Sequence, residues 1–279
     1  MNLVFHRINN CNSFAGEQVL YSTLHCIPKD NLARKSLEKK INFFIKNSKE
    51  RENIQLLLSK LGKVDGSYSL PLLMNNLDMI SIPGIWGYRI MQVLLILSIF
   101  PSILFNNPNL IFITFGVFVI NLLIYIKNKS KYETYLQLLS SIIQIVKLGA
   151  KLTNANKFSY ENEFKDLKEL IIPFKNLSHL LGRMQLKKEV SLTGSIEGVF
   201  FDYIVGATLW DFIIYDKIIR ILNGKQKLFM ALYKKVGEID MSISIASFRE
   251  SLPFYCTPNF IKGRKIQGFI SSSNRRTYM

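Results

Sequence analysis

The chain has 279 residues, 36 Lys+Arg against 20 Asp+Glu, and a hydrophobic content of 48%. That content excludes a disordered chain, and the formal charge of +16 favours polyanionic partners: nucleic acid or an anionic membrane surface. Cys11, Cys26 and Cys256 form no CxxC pair, and His6, His25 and His179 are scattered, so the composition argues against a disulfide framework and a metal ligand set. The opening MNLVFHRINN lacks a charged-then-apolar signal pattern, so the chain is expected to start in the cytoplasm.

In chain order, residues 1–28 read as helical, with Leu3, Val4, Ile8, Val19, Leu20 and Leu24 at helical spacing and Pro28 as the stop. From Leu32 to Leu61 the apolar positions, among them Leu37, Ile41, Phe44, Ile54 and Leu58, make one face. Lys, Arg and Glu fill the other, so these are amphipathic helices in need of a partner surface. Gly62 to Gly84 carries breakers, including Gly66, Pro71 and Pro83.

Ile90 to Ile126 then runs without a charged side chain. NNPN at Asn106–Asn109 is turn chemistry and divides the run into two apolar arms. With Ile85 as its start, the first arm is 85–105 and the second 110–126. Trp86, Tyr88 and Arg89 stand at one mouth; Tyr125, Lys127, Lys129 and Lys131 stand at the other. Aromatic and basic residues at the ends of apolar runs suit a lipid–water boundary. Apolarity on every side is what lipid requires, and a buried pair of soluble helices normally keeps a polar face. The run is therefore expected to be a transmembrane hairpin in the cytoplasmic membrane, with two spans. Its basic flanks place both termini on the cytoplasmic side.

Beyond it, Tyr132–Leu152 resumes an amphipathic pattern and NANKFSYENEF breaks it. Helices are expected from about Tyr160 to Leu170, before Pro173, and over Leu177–Leu186, Ser195–Leu222 and Gln226–Val236. Asn223-Gly224 is a helix stop, and Asp240 is expected to cap MSISIASFRESL, which ends at Pro253. The aromatics of 195–222 have helical spacing and few interleaved cations, so they read as core. Strand signal is confined to KIQGFISS.

Motifs for chemistry are missing. SLTGSIEG lacks the lysine of a phosphate loop, and no GxGxxG, HExxH or GxSxG is present. The pairs Glu161/Glu163 and Glu238/Asp240 lie in polar segments and read as solvated or capping. The chain is expected not to be an enzyme and to hold no cofactor or metal.

Two segments carry a resemblance. VFHRINNCNSFAGEQVLYSTLHCIP, followed by LEKKINFFI, resembles the start of the core domain of MutS-family mismatch-repair ATPases. Asn10, Ser13, Gly16, Leu20, Leu24 and Pro28 fall into that domain's pattern. VGEIDMSISIASFRESLPFYCTPNFIKGRKIQGF resembles the end of the same core. Ile239, Asp240, Ser244, Ala246, Tyr255, Pro258 and Phe260 hold those positions, and the first strand of the ATPase domain follows. With its uncharged hairpin the chain is similar to a membrane-associated bacterial branch of the family. The resemblance implies an all-α core-and-lever bundle of MutS type, in which core and lever link a DNA-clamping end to an ATPase dimer.

The expected layout is then 1–84 as the first part of the helical core, 85–126 as the hairpin, 127–260 as lever and core helices, and 261–279 as a stub of the ATPase domain. The mismatch-reading domain, the His-Pro pair and the phosphate loop of full-length relatives do not occur in this sequence. It therefore reads as a core-and-lever portion, one half of a split gene or a truncated relic. The partners expected are a lipid bilayer, DNA held weakly through Lys29–Lys49 and Lys217–Lys235, and a separate ATPase chain or a second copy of this one. A membrane scaffold that binds protein instead of DNA is the alternative. No individual DNA-contacting residue is assigned.

Overall fold

A computed structural model describes residues 2–26, 31–104, 109, 111–154, 161–177, 203–260 and 266–271. They are predominantly helical. They divide into two compact units: one takes the described residues of 1–63 and 233–279, the other those of 64–154 and 160–232.

In the first unit, α1 (Asn2–Ile8) and α2 (Phe14–His25) are separate helices. Ser13 divides them: its backbone is extended (φ −130°, ψ 153°) and its Oγ accepts the Gly16 N–H at 3.1 Å, the geometry of an N-cap. α3 (Asn31–Lys46) and α4 (Ser48–Ser59) are parted at Asn47, whose Nδ2 donates back to the Phe43 carbonyl at 2.9 Å. Cys11, Leu20 and Met241 form a buried cluster covered by Phe5, Ile8, Val19, Leu24, Leu37 and Ile245. Two strands, β1 (Tyr255–Phe260) and β2 (Ile266–Ser271), pair antiparallel from Tyr255 opposite Ser271 to Phe260 opposite Ile266. β2 falls on the stretch with the strand signal.

The second unit opens with 3₁₀ turns at Asp65–Ser69 and Leu77–Ile80 around α5 (Leu70–Asn75). α6 (Ile85–Leu104) and α7 (Ile111–Asn154) follow. Pro101 lies in the last turn of α6, where a bend displaces only the three residues that follow it. α7 is one helix of 44 residues, about 66 Å long. The sequence reading ends an arm at Ile126 and resumes at Tyr132; the helix runs through both, since no Gly or Pro occurs from 117 to 148. α8 (Glu161–Ile171) tightens into a 3₁₀ turn at Ile172–Phe174, where Pro173 removes a donor.

α9 (Trp210–Leu222) is shorter than the helix expected over 195–222, of which residues 195–202 lie outside the described residues. Residues 203–207 are helical, and Leu209, with φ +55°, turns the chain before α9 starts. Asn223 and Gly224 (φ +77°) end α9 as expected. The helix predicted over 177–186 is described only at its first residue.

α10 runs unbroken over Gln226–Ser251; its residues up to Leu232 belong to the second unit and those from Tyr233 to the first. A fresh start at Asp240 is therefore corrected: Asp240 is an interior residue of a helix and is fully buried.

Candidate functional site

Two places concentrate unusual chemistry. The first is a buried carboxylate in the first unit. Asp240 Oδ2 accepts the Ser13 N–H at 2.8 Å and the Ser13 O–H at 2.5 Å, and Oδ1 accepts the Asn12 N–H at 3.1 Å. One turn further along α10, Ser244 Oγ accepts the Asn10 N–H and donates to the Ile8 carbonyl, both at 2.8 Å. Two side chains more than 220 residues away thus hold the backbone between α1 and α2, where the Asn10 N–H also donates to the Ile8 carbonyl at 2.8 Å.

The helices can meet here because both carry glycine. A Cβ on Gly16 would lie 2.6 Å from Asp240 Cγ, and one on Gly237 would lie 2.6 Å from the Ala15 carbonyl oxygen. Gly237 accepts the cost of a mid-helix glycine, about 1 kcal/mol, for this close approach.

Burial pushes the Asp240 carboxyl above the ordinary carboxylate range, while its bonds from Ser13 and Asn12, and Lys63, pull it down. Burial, with Asp240 nearby, also pushes the Cys11 thiol up to about 12, which makes it a poor nucleophile. Each carboxylate oxygen of Asp240 accepts a backbone N–H, so the residue latches the start of α2 to α10. Glu238, read as solvated or capping, pairs with Lys40 at 3.0 Å.

The second place is the surface of α6 and α7. Thr114 Oγ1 donates to the Ser98 carbonyl at 2.7 Å, and Asn121 Nδ2 donates to the Met91 carbonyl at 3.3 Å. Seven residues forward on α7 match seven back on α6, so the helices lie side by side and antiparallel. Asn121 is fully buried, and its Oδ1 has no partner among the described residues. The outward side chains are apolar and uncovered: Leu97, Phe100, Phe112, Phe115 and Leu123 are each more than half exposed.

Ile111–Lys129, 19 residues, is long and apolar enough to cross a membrane by length and composition, and only 11% of its apolar window is buried. At about 28 Å it matches a hydrocarbon layer of about 30 Å. Ile85–Pro101 is a shorter apolar stretch. At the mouth, Asp216 accepts from Arg89 at 3.4 Å and from Arg220 at 2.8 Å. The sequence reading missed this network, although the Asp216/Arg220 spacing of four was visible in it.

One cation of the basic segments, Lys40, is paired, with Glu238; outside them Arg51 and Arg249 pair with Glu250 and Glu38. Lys35, Lys39, Lys46 and Lys49 are exposed, as are Lys217, Lys227 and Lys234; Lys29 lies outside the described residues. Glu161 and Glu163 open α8. His6 is exposed, His25 Nδ1 lies 2.8 Å from the Tyr21 carbonyl oxygen, and His179 is outside the described residues. Cys26 is exposed and Cys256 lies in β1. Among the described residues no group of three His, Cys, Asp or Glu is placed to hold a metal ion.

No family model, curated protein or solved structure matches the chain.

Proposed function

We propose that this chain is a non-catalytic, membrane-anchored helical core of MutS type. It is held in the bilayer by two spans, 85–105 and 110–126, with both termini on the cytoplasmic side. The uncovered apolar surface of α6 and α7 carries the anchoring. A core helix of a soluble protein buries most of its apolar window, and Ile111–Lys129 buries almost none. The MutS reading is supported by the partners of Asp240 and Ser244. The positions that carry the resemblance near the N-terminus, Asn10, Ser13 and Gly16, are the ones that meet those near the C-terminus.

In this reading DNA is a weak, phosphate-directed ligand of Lys35, Lys39, Lys46 and Lys49, with little sequence preference. A separate ATPase chain or a second copy would complete the assembly. The second reading is a membrane scaffold that binds protein. It is favoured by the ion pairs of Lys40, Arg51 and Arg249, which neutralise three cations in and around the same segment.

Two measurements on the full chain test this. Carbonate extraction of membranes is expected to leave the protein in the pellet; release into the aqueous fraction as a compact monomer rejects the anchor. A mobility-shift series in detergent is expected to show DNA affinity that falls steeply with salt. Undetectable affinity at low salt rejects the DNA ligand.

A further inference from the structure

The charged mouth of the α6–α7 pair has a chemistry of its own. Extending the antiparallel register from Ser98–Thr114 through Met91–Asn121 puts Trp86 level with Ile126. Arg89 therefore stands beside the last apolar turn of α7, and Lys127 and Lys131 follow within the next one and a half turns. Lys131 lies about 7 Å past Ile126 along the helix axis. That is the depth of the headgroup layer, since headgroups add about 5–7 Å to each side of the hydrocarbon.

Aromatic rings lie against three cations of this mouth, Arg89, Lys129 and Lys131. The Arg89 guanidinium lies 5.3 Å from the Trp86 ring, Lys129 Nζ 5.2 Å from the Tyr203 ring, and Lys131 Nζ 5.4 Å from the Tyr132 ring. The nearby acid Asp216 is buried and shared between Arg89 and Arg220. Lys127 and Lys131 are exposed, and Trp86 is 68% exposed.

We infer that this mouth is a binding surface for anionic glycerophospholipid headgroups, contacted by Lys127, Lys131 and Arg89. The inference rests on the anchoring proposed above. It goes further by choosing the lipid: exposed cations just past the last apolar turn, Lys127 and Lys131, favour a phosphate carrying net charge over a zwitterion. Nucleic acid is the poorer occupant, because a duplex would have to lie inside the headgroup layer to reach cations this close to the apolar turn.

Trp86 reports on the site directly. The chain holds two tryptophans, and Trp210→Phe leaves Trp86 alone. The full-length protein is reconstituted into vesicles containing either brominated phosphatidylglycerol or brominated phosphatidylcholine, and the quenching of Trp86 is compared at equal mole fraction. The anionic lipid is expected to bind about thirtyfold better, the effect of two basic residues, Lys127 and Lys131, near an anionic surface. Lys127→Gln with Lys131→Gln is expected to bring the ratio close to one, and Lys127→Arg with Lys131→Arg to restore it. Raising the salt is expected to lower it in the parent protein. Equal quenching by the two lipids overturns the headgroup site and leaves the anchor standing. Quenching by neither overturns both.

Discussion

Replacing Asp240 by alanine tests the latch most severely. The change removes the acceptor of three hydrogen bonds. The Ser13 hydroxyl can turn to another partner, but the Asn12 and Ser13 N–H groups stay where the backbone puts them. Each orphaned buried donor costs about 1–3 kcal/mol, so the pair costs about 2–6 kcal/mol. Relief from burying a carboxylate offsets part of this, which is why the lower half of the range is expected. About 3 kcal/mol corresponds to a hundredfold change in an opening equilibrium. The loss should be local, because the orphaned groups lie at the start of α2. Hydrogen exchange by mass spectrometry, on the full chain in detergent micelles, reads this from peptides covering Phe14–His25. Their exchange should quicken about a hundredfold in Asp240→Ala. Protection within threefold of the parent would show that these bonds are replaced by water at no cost, and the latch argument would fail.

Asp240 also sets a pH dependence. Its folded carboxyl titrates above the ordinary value, so the folded chain keeps a proton that the unfolded chain has released. Stability from this source is fully present below the unfolded value, about pH 4, and is lost as pH rises through the folded value. Urea midpoints should show that decline in the parent and lack it in Asp240→Asn. Gly16→Ala and Gly237→Ala should each lower the thermal midpoint, with overpacking costs of about 1–3 kcal/mol, whereas Gly116→Ala, with nothing within 4 Å of its added carbon, should not. Leu97→Arg should cost about 3–4 kcal/mol of membrane insertion and reduce the carbonate-resistant fraction. Leu56→Arg, at an equally exposed site on α4, should leave that fraction unchanged.

Periodicity and turn chemistry are enough to mark α8 and the end of α9. In each, one residue type does the stopping: Pro173 as a missing donor, Gly224 as a positive-φ residue. They do not mark the division at Ser13, which falls inside a segment that reads as one helix over 1–28. Two expected boundaries that the helices lack have a common cause. Asp240 and the Lys127–Lys131 stretch are polar residues inside helices, and polarity was taken for an interruption. Neither site contains a residue that breaks a helix. In α10 the polar residue is polar because it serves another helix's backbone, a requirement set more than 220 residues away. The local clue was a single acid among apolar helical neighbours, Val236, Ile239 and Ile243, all buried. The turn at Leu209 had no such clue, since a leucine at φ +55° is chosen by its surroundings and not by its own preference.

α7 shows why composition alone cannot say what solvates a helix. Its first half and its second half are both apolar, yet Ile111–Lys129 is almost uncovered while Leu138, Leu139, Ile142, Ile143, Ile145 and Val146 are all buried. The same kind of side chain meets two different environments along one rod. The boundary between them is drawn by the lysines at 127, 129 and 131, which neither lipid tails nor a protein core would accept without a partner. Because no glycine or proline lies from 117 to 148, the rod has no hinge at that boundary. In the proposed reading, a tilt of the apolar half is passed along one continuous helix to the residues packed at 138–152.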